Sequence, residues 1–171
     1  IPGLDPALVL TNENVFDLTT QPESIAILGG GAIGCELAQA FSRLGTRVEL
    51  FEQASRLLPL EIPLAGETLA QALTDSGVRL HLGEAVTAIE GSGTIHTQKG
   101  TVVCEKIMLA AGRRPNTENL NLAAAGVNLD SRGFVSVDAK LRTTQSHIYA
   151  AGDCATTQQF THHADAQARA L

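Results

Sequence analysis

Six consecutive residues, Gly29-Gly30-Gly31-Ala32-Ile33-Gly34, match the spacing G-x-G-x-x-G. Glycines at this spacing allow a tight turn at Gly29, a close backbone approach to a pyrophosphate at Gly31, and close packing of a helix at Gly34. A helix that begins here would direct free N–H groups and its positive dipole end at the phosphates. The motif predicts a phosphate cradle if it joins a strand to a helix.

The segments on either side of the motif meet that condition. Residues 24–28 form a short apolar run that ends in the glycines, as a buried parallel strand does. From Ala32 to Leu44, apolar residues recur at helical spacing, and Gly45 ends the predicted helix. A glycine-rich loop without a ligand is the remaining alternative for this motif.

Glu52 lies 18 residues after Gly34, at the end of the next predicted strand, residues 47–51. A carboxylate at this place can accept hydrogen bonds from the adenosine ribose hydroxyls, and it repels a 2′-phosphate. The sequence therefore favours NAD(H) over NADP(H). Arg56, with Arg47 nearby, is the competing feature, because an arginine here could bind a 2′-phosphate.

The elements that follow complete a β-α-β-α-β order. A helix is predicted over 64–76 and a strand over 78–82, and three short β-rich segments then predict an antiparallel meander. These segments are 84–90, 94–98 and 101–105, with turns at Gly91-Ser92-Gly93 and Lys99-Gly100. The order predicts an α/β fold, a Rossmann-like doubly wound parallel sheet with an antiparallel β-meander crossover.

Both ends of the sequence differ from this regular pattern. Residues 1–23 are punctuated by Pro and Asx, which predicts a connector with neither helix nor strand. After an apolar strand over 106–111, we predict a short helix around 117–126, a last strand over 147–151 and a helix over 164–171. The sequence begins without Met and stops inside that helix, so we expect it to be part of a longer protein.

Composition excludes several classes of function. The net charge is −6 with scattered basic residues, which predicts no nucleic-acid or lipid partner, and the apolar runs are too short to cross a bilayer. Cys35, Cys104 and Cys154 are 69 and 50 residues apart, so no CxxC pair can form a redox disulfide or a zinc site. We expect small apolar thiols, no metal site and a cytoplasmic location.

Further stretches resemble a single family and together span nearly the whole sequence. They are Ile1-Pro2-Gly3-Leu4, Gly34-Cys35-Glu36, Ala110-Ala111-Gly112-Arg113-Arg114-Pro115-Asn116, Ile148-Tyr149-Ala150-Ala151-Gly152-Asp153 and Phe160-Thr161-His162-His163-Ala164. In this order they resemble the IPG segment, the G-x-E end of the cradle, the ATG-type turn with GRRPN, the second flavin motif and the flavin-side helix start of the pyridine nucleotide–disulfide oxidoreductases. Gly34 and Glu52 resemble the residues of the NADH-using dihydrolipoamide dehydrogenase branch more than those of the NADPH-using glutathione reductase branch, and residues 159–169 resemble mercuric-reductase-like members.

This resemblance implies two cofactors and the residues that bind them. The implied NAD(H) residues are Gly29, Gly30, Gly31, Ala32, Ile33, Gly34, Cys35, Glu36, Glu52, Val86 and Gly112. The implied FAD residues are Asp153, Gln159, Phe160, Thr161 and His162. Glu36 and Gly112 would lie near the nicotinamide, the Val86 backbone near the adenine, and Asp153 at the ribitol chain. His81 shows no partner pattern and is expected to be a strand or surface residue.

The resemblance also implies a division of the chain and a reaction. Residues 1–14 would be a connector from the first half of an FAD domain, 15–112 an NAD(P)-binding domain, and 113–171 the return segment of the incomplete FAD domain. In the intact enzyme, a homodimer, hydride would pass from NADH to FAD and on to a disulfide, dithiol or metal-ion substrate. The family's redox disulfide lies upstream and its His–Glu pair downstream, so the sequence holds no catalytic residue and is expected to be inactive alone.

Three alternatives stay open. Within the family, an NADH oxidase or ferredoxin reductase type without a redox disulfide fits the same residues. An NAD-sensing regulatory domain would share the cradle and Glu52, but it has no use for a second motif ending in Gly152-Asp153. A methyltransferase would share a Gly-rich turn and a later acid, but it would lack the GRRPN turn and the meander.

Overall fold

The computed structural model describes residues 3–91 and 93–171. Ile1 and Pro2 of the predicted IPG segment, and Ser92 of a predicted turn, lie outside the described residues. The chain forms two compact units, Ile1–Gly112 and Arg113–Leu171, called here the first and second unit. Their assignment to parts of an NAD domain and an FAD domain stays a prediction.

The first unit contains a parallel sheet and an antiparallel sheet. Its elements are β1 Val9–Leu10, β2 Ser24–Leu28, α1 Ala32–Arg43, β3 Arg47–Glu52, α2 Pro63–Asp75, β4 Arg79–Leu82, β5 Val86–Glu90, β6 Thr94–Thr97, β7 Thr101–Val103 and β8 Lys106–Leu109. The parallel sheet has the order β1-β8-β2-β3-β4, and the antiparallel sheet has the order β5-β6-β7. The predicted α/β fold with a parallel sheet and a β-meander is confirmed.

Both faces of the parallel sheet are buried, which explains the unbroken apolar run in β2. Ile25 and Ile27 belong to the core that contains residues of α1 and α2. Ala26 and Leu28 belong to a second core with Ile89 of the meander. Because side chains alternate along a strand, the helices and the meander cover opposite faces of the sheet. None of the helices within residues 3–91 and 93–171 is both long and apolar enough to span a membrane.

The prediction that residues 1–23 hold neither helix nor strand was wrong. Val9–Leu10 forms the edge strand β1, which pairs in parallel with β8. Short 3-10 helices lie at Pro6–Leu8 and Val15–Asp17. The edge of β8 leaves unpaired backbone groups, and even a short strand can satisfy them, although it carries too few residues to show a period in the sequence.

Three predictions in the second unit also differ from the structure. The expected helix at 117–126 is only a 3-10 helix at Glu118–Leu120, which ends where Asn121 adopts a left-handed conformation with φ 48°. The expected strand at 147–151 makes one isolated bridge, between Arg142 and Tyr149. The last helix, α3, spans Thr161–Arg169 and thus begins three residues before Ala164.

Aspartate side chains hold turns in the second unit. Asp130 Oδ1 accepts the N–H groups of Arg132 at 2.8 Å and Phe134 at 3.0 Å. Asp138 Oδ1 accepts those of Lys140 at 2.8 Å and Arg142 at 3.0 Å. These backbone hydrogen bonds lower the pKa of both carboxyl groups, since they stabilise the ionised form.

A buried carboxylate lies on the meander face of the first unit. Glu49, in β3, has a side chain that is only 1% exposed. Its Oε1 accepts from Arg47 Nη1 at 3.1 Å and Arg79 Nη1 at 3.2 Å, and its Oε2 lies 2.9 Å from His81 Nε2. The His81 ring also stacks on Phe51, with centroids 4.2 Å apart. A buried charge requires such partners, because an unpaired carboxylate would carry the full cost of desolvation.

A second carboxylate links this cluster to the meander. Glu84 Oε1 accepts a hydrogen bond from Thr97, and Glu84 Oε2 lies 3.3 Å from Lys99 Nζ and 3.7 Å from His81 Nδ1. The hydrogen bond from Thr97, assisted by Lys99, lowers the pKa of Glu84 below its ordinary value of 4.5. A lowered folded-state pKa means that Glu84 contributes stability above pH 4.5, and that this contribution is lost as the pH falls through the folded value.

We therefore expect acid to remove the stability that Glu84 contributes. Urea unfolding of the unmodified chain and of Glu84→Gln, between about pH 3 and pH 7, compares a titrating with a non-titrating side chain. The advantage of the unmodified chain should be constant at neutral pH and shrink below 4.5. Glu13→Gln, a change at an exposed residue, is the matched control. A stability difference between the unmodified chain and the Glu84→Gln variant that does not depend on pH would contradict this expectation.

Candidate functional site

The glycine motif joins β2 to α1, as the sequence predicts. Helix α1 begins at Ala32, and its N-cap residue is Gly31, so no side chain caps the helix. The first N–H groups of an α-helix have no partner within the helix. An uncapped first turn at the end of a parallel strand can therefore donate to an anion that arrives from outside, with the helix dipole favouring negative charge.

The glycines of this turn are required for different reasons. A Cβ at Gly34 would lie 1.9 Å from the carbonyl oxygen of Gly29, so α1 packs directly on the turn. Gly29 has φ 120°, and a Cβ there would lie 2.5 Å from the Ala110 carbonyl oxygen. A Cβ at Gly31 would meet no atom within 4 Å. The fold thus needs glycine at 29 and 34, whereas Gly31 leaves open space beside the uncapped turn.

Glu52 contacts the cradle directly. Its Oε2 accepts the N–H of Gly30 at 2.7 Å, and its Oε1 accepts the N–H of Ala54 at 2.8 Å. Each carboxylate oxygen retains a further lone pair that can accept from another donor. The carboxylate therefore sits against the glycine turn with acceptor capacity left for hydroxyl groups.

Three other predicted residues of the first unit lie on α1, at the start of β5 and after β8. Glu36 is exposed on α1. The N–H of Glu84 donates to the carbonyl of Glu52 at 3.1 Å, which brings the start of β5, at Val86, towards the same strand end. Gly112, with φ 129°, lies two residues after Ala110, whose N–H donates to the Leu28 carbonyl at 2.8 Å.

The buried cysteines Cys35 and Cys104 have weakly acidic thiols. Cys35 lies behind the turn, with its Sγ 3.5 Å from the Gly30 carbonyl oxygen. Burial raises the pKa of Cys35 to about 11, and the charges of Glu52 and Glu36 act in the same direction. Burial likewise raises the pKa of Cys104 to about 11, and Cys154 is free and half-buried. Thiols with so high a pKa are poor nucleophiles at neutral pH.

The predicted flavin-side residues all lie in the second unit. Asp153 is exposed in a 3-10 turn at Gly152–Cys154. Arg113 Nη1 donates to the carbonyl of Gln159 at 2.7 Å and lies 3.6 Å from Asp153 Oδ2, so it links two of the predicted residues. Phe160 is the N-cap residue of α3 and makes no side-chain capping hydrogen bond. Its carbonyl accepts the N–H groups of His163 and Ala164 at 3.0 Å, so the donors left at this helix start are those of Thr161 and His162.

Two residues make structural contacts that the sequence did not predict. His81, expected to be a strand or surface residue without a partner, bridges Glu49 and Glu84. Arg56, which the sequence suggests only as a phosphate ligand, bonds to its own loop. The period-2 placement of Arg47, Glu49, Arg79 and His81 on one sheet face was the signal available for His81. No sequence signal exists for the arginine, because its acceptors are backbone carbonyls.

A parallel sheet with a glycine turn after β2 and an acid at the end of β3 defines the class of Rossmann-type α/β proteins. Comparison with known sequences identifies the family within this class. Residues 1–168 match the pyridine nucleotide-disulphide oxidoreductase family, and the chain belongs to it.

Individual relatives agree with that membership. The chain is 37% identical over 169 residues to the mercuric reductase of Bacillus cereus, covering 95% of this chain and 27% of the relative. It is 37% identical over 162 residues to the dihydrolipoyl dehydrogenase of Chlamydia muridarum, covering 93% and 35%. The HOCl-induced flavoprotein disulfide reductase RclA from Escherichia coli matches its structure with a TM-score of 0.92 at 33% identity, covering 99% of this chain and 40% of RclA. The chain thus spans well under half the length of these relatives.

Substitution by alanine should separate the glycines that shape the fold from the one that leaves room for a ligand. Gly34→Ala places a Cβ against backbone at 1.9 Å, which cannot relax like a flexible side chain. Overpacking of this kind costs roughly 1–3 kcal/mol, more than the roughly 1 kcal/mol that Ala gains over Gly in a helix. We expect a net loss of unfolding free energy in urea. Gly31→Ala should unfold like the unmodified chain, and equal stability of the two variants would contradict the distinction.

Proposed function

We propose that this chain is the NAD(H)-binding part of a flavoprotein oxidoreductase that passes hydride from NADH to FAD and on to a disulfide, dithiol or metal-ion substrate. The contact between Glu52 and Gly30 is the observation that carries the proposal. It brings an acceptor for ribose hydroxyls against the turn whose free N–H groups suit a pyrophosphate. The sequences named as mercuric reductase and dihydrolipoyl dehydrogenase support the acceptor classes.

The residues of the cradle fit a dinucleotide on several grounds. The space beside Gly31 admits phosphate oxygens close to the backbone. The first turn of α1, which includes Ala32 and Ile33, offers N–H donors that no side chain caps. Glu36, one turn further along α1, is exposed and would lie on the nicotinamide side. The role of these residues is to bind and orient, while the bound cofactors supply hydride-transfer chemistry.

The choice of NAD(H) over NADP(H) follows from charge. A carboxylate at Glu52 can accept from both ribose hydroxyls, but it loses one of these bonds and faces a second negative charge when the 2′-position carries phosphate. Arg56 is the nearby cation that could offset the repulsion, and its guanidinium is already bonded to carbonyl groups of its own loop. We therefore propose NADH as the electron donor.

The second unit supports the flavin side of the same proposal. Asp153 is exposed, and its carboxylate oxygens can accept hydrogen bonds from ribitol hydroxyls. Arg113 fixes the Gln159 carbonyl, which immediately precedes Phe160 and the uncapped first turn of α3 with Thr161 and His162. We propose that these residues contact FAD, and that the intact enzyme is a cytoplasmic homodimer acting on a small-molecule substrate.

Calorimetric titration with NADH and NADPH tests the role of Glu52. A lost hydrogen bond to a charged group is worth roughly 1.5–3 kcal/mol, so the unmodified chain should prefer NADH by at least about tenfold. Glu52→Gln keeps a side-chain oxygen that can accept the Gly30 N–H but removes the negative charge. It should therefore reduce the preference for NADH over NADPH. Glu52→Arg should reverse it.

Glu67→Gln, which makes the same charge change on the exposed side of α2, is the control and should retain the preference. If the unmodified chain binds both nucleotides with equal affinity, the assignment of Glu52 to the ribose fails. If it binds neither, the proposed function of the cradle fails.

A further inference from the structure

The Arg56 side chain donates hydrogen bonds to backbone carbonyls of its own loop, which joins β3 to α2. Its Nη1 donates to the carbonyls of Leu58 at 3.3 Å and Glu61 at 2.9 Å, and its Nη2 donates to that of Pro59 at 2.8 Å. A planar guanidinium presents several N–H donors in a fixed fork, which suits three carbonyl groups around one side chain. The conformation of this loop therefore depends on one cationic side chain.

The same loop contacts the glycine turn. The N–H of Leu58 donates to the carbonyl of Gly30 at 2.9 Å, and Leu58 has φ 48°, in the left-handed region that leucine seldom adopts. The neighbouring Leu57 is fully buried, and its Cδ2 lies 2.8 Å from where a Cβ at Gly30 would be. Gly30 is thus held from both backbone groups, by Glu52 at its N–H and by Leu58 at its carbonyl.

We propose that Arg56 is a positioning residue of the phosphate cradle and not a ligand for a 2′-phosphate. It acts through the loop: the guanidinium holds the carbonyls of residues 58–61, the loop keeps Leu58 in its left-handed conformation, and the Leu58 N–H fixes Gly30. The inference rests on the proposed function, since it assigns the cradle a nucleotide pyrophosphate. It also opposes the intuitive role of an arginine that follows Glu52 by four residues.

The bonds that Arg56 makes distinguish the two roles. Both terminal nitrogens already donate to the loop. Nη1 uses both of its N–H groups on the carbonyls of Leu58 and Glu61. A phosphate bound across both terminal nitrogens would therefore displace one of these carbonyls and weaken the contacts that hold the Leu58 backbone. A positioning residue affects every nucleotide that uses the pyrophosphate cradle, whereas a phosphate ligand affects NADPH alone.

Paired titrations of Arg56→Lys and Arg56→Gln with NADH and NADPH test the proposal in the 171-residue chain. Lysine keeps the charge but cannot replace the planar fork. We expect both variants to bind both nucleotides about tenfold more weakly, with the NADH-to-NADPH ratio unchanged. Arg43→Gln, at an exposed position in the last turn of α1, is the control and should retain both affinities.

The proposal is overturned if Arg56→Lys retains full affinity, or if Arg56→Gln weakens NADPH alone. Amide hydrogen exchange gives a second measurement that needs no nucleotide. Exchange at the Leu58 N–H should accelerate in Arg56→Lys while β2 and β3 keep their protection, and unchanged exchange at Leu58 would also overturn the proposal. If the unmodified chain binds neither nucleotide, the proposed function has failed, and the exchange at Leu58 still decides whether Arg56 positions Gly30.

Discussion

The carbonyl oxygen of Gly29 lies 1.9 Å from the place that a Cβ of residue 34 would take. Helix α1 can start directly after β2 only because residue 34 has no side chain, and its first N–H groups are then left at the end of the strand. In the same turn, Gly30 donates its N–H to the Glu52 carboxylate and accepts the Leu58 N–H at its carbonyl. A contact between two backbone segments therefore determines where the polar groups of the candidate site can lie.

The two faces of the parallel sheet are stabilised in different ways. The helix face is apolar, whereas the meander face includes the buried Glu49 with Arg47, Arg79 and His81. Such a cluster adds little net stability, because desolvation offsets the ion pairs. It does oppose a slip in register, since moving β3 by one residue would turn Glu49 towards the apolar helix face without partners. The cluster thus favours the alignment that brings Glu52 to the strand end beside the cradle.

The sequence predicted those parts of the fold whose cause is local. Glycine at 34 follows from the spacing alone, and the apolar run 24–28 followed by a glycine turn could be assigned from its pattern. The period-2 placement of His81 indicates its sheet face, but its partners could not be assigned, because they lie on β3 and near β5 and depend on strand register. Arg56 could not be assigned either, since carbonyl acceptors are present at every residue and leave no mark in the sequence.

In the second unit, the apolar pattern of the sequence does not predict the secondary structure correctly. Residues 147–151 have the apolar character of a strand, yet a strand exists only where a neighbouring strand accepts and donates its hydrogen bonds, and here only the bridge from Arg142 to Tyr149 forms. Backbone groups of this unit are instead satisfied by the carboxylates of Asp130 and Asp138, whose lowered pKa values reflect those bonds. A local sequence pattern indicates which secondary structure a segment favours, but a strand forms only where a neighbouring strand pairs with it. The same rule explains why β1 forms at Val9–Leu10, because the edge of β8 supplies the partner that a weak local pattern did not reveal.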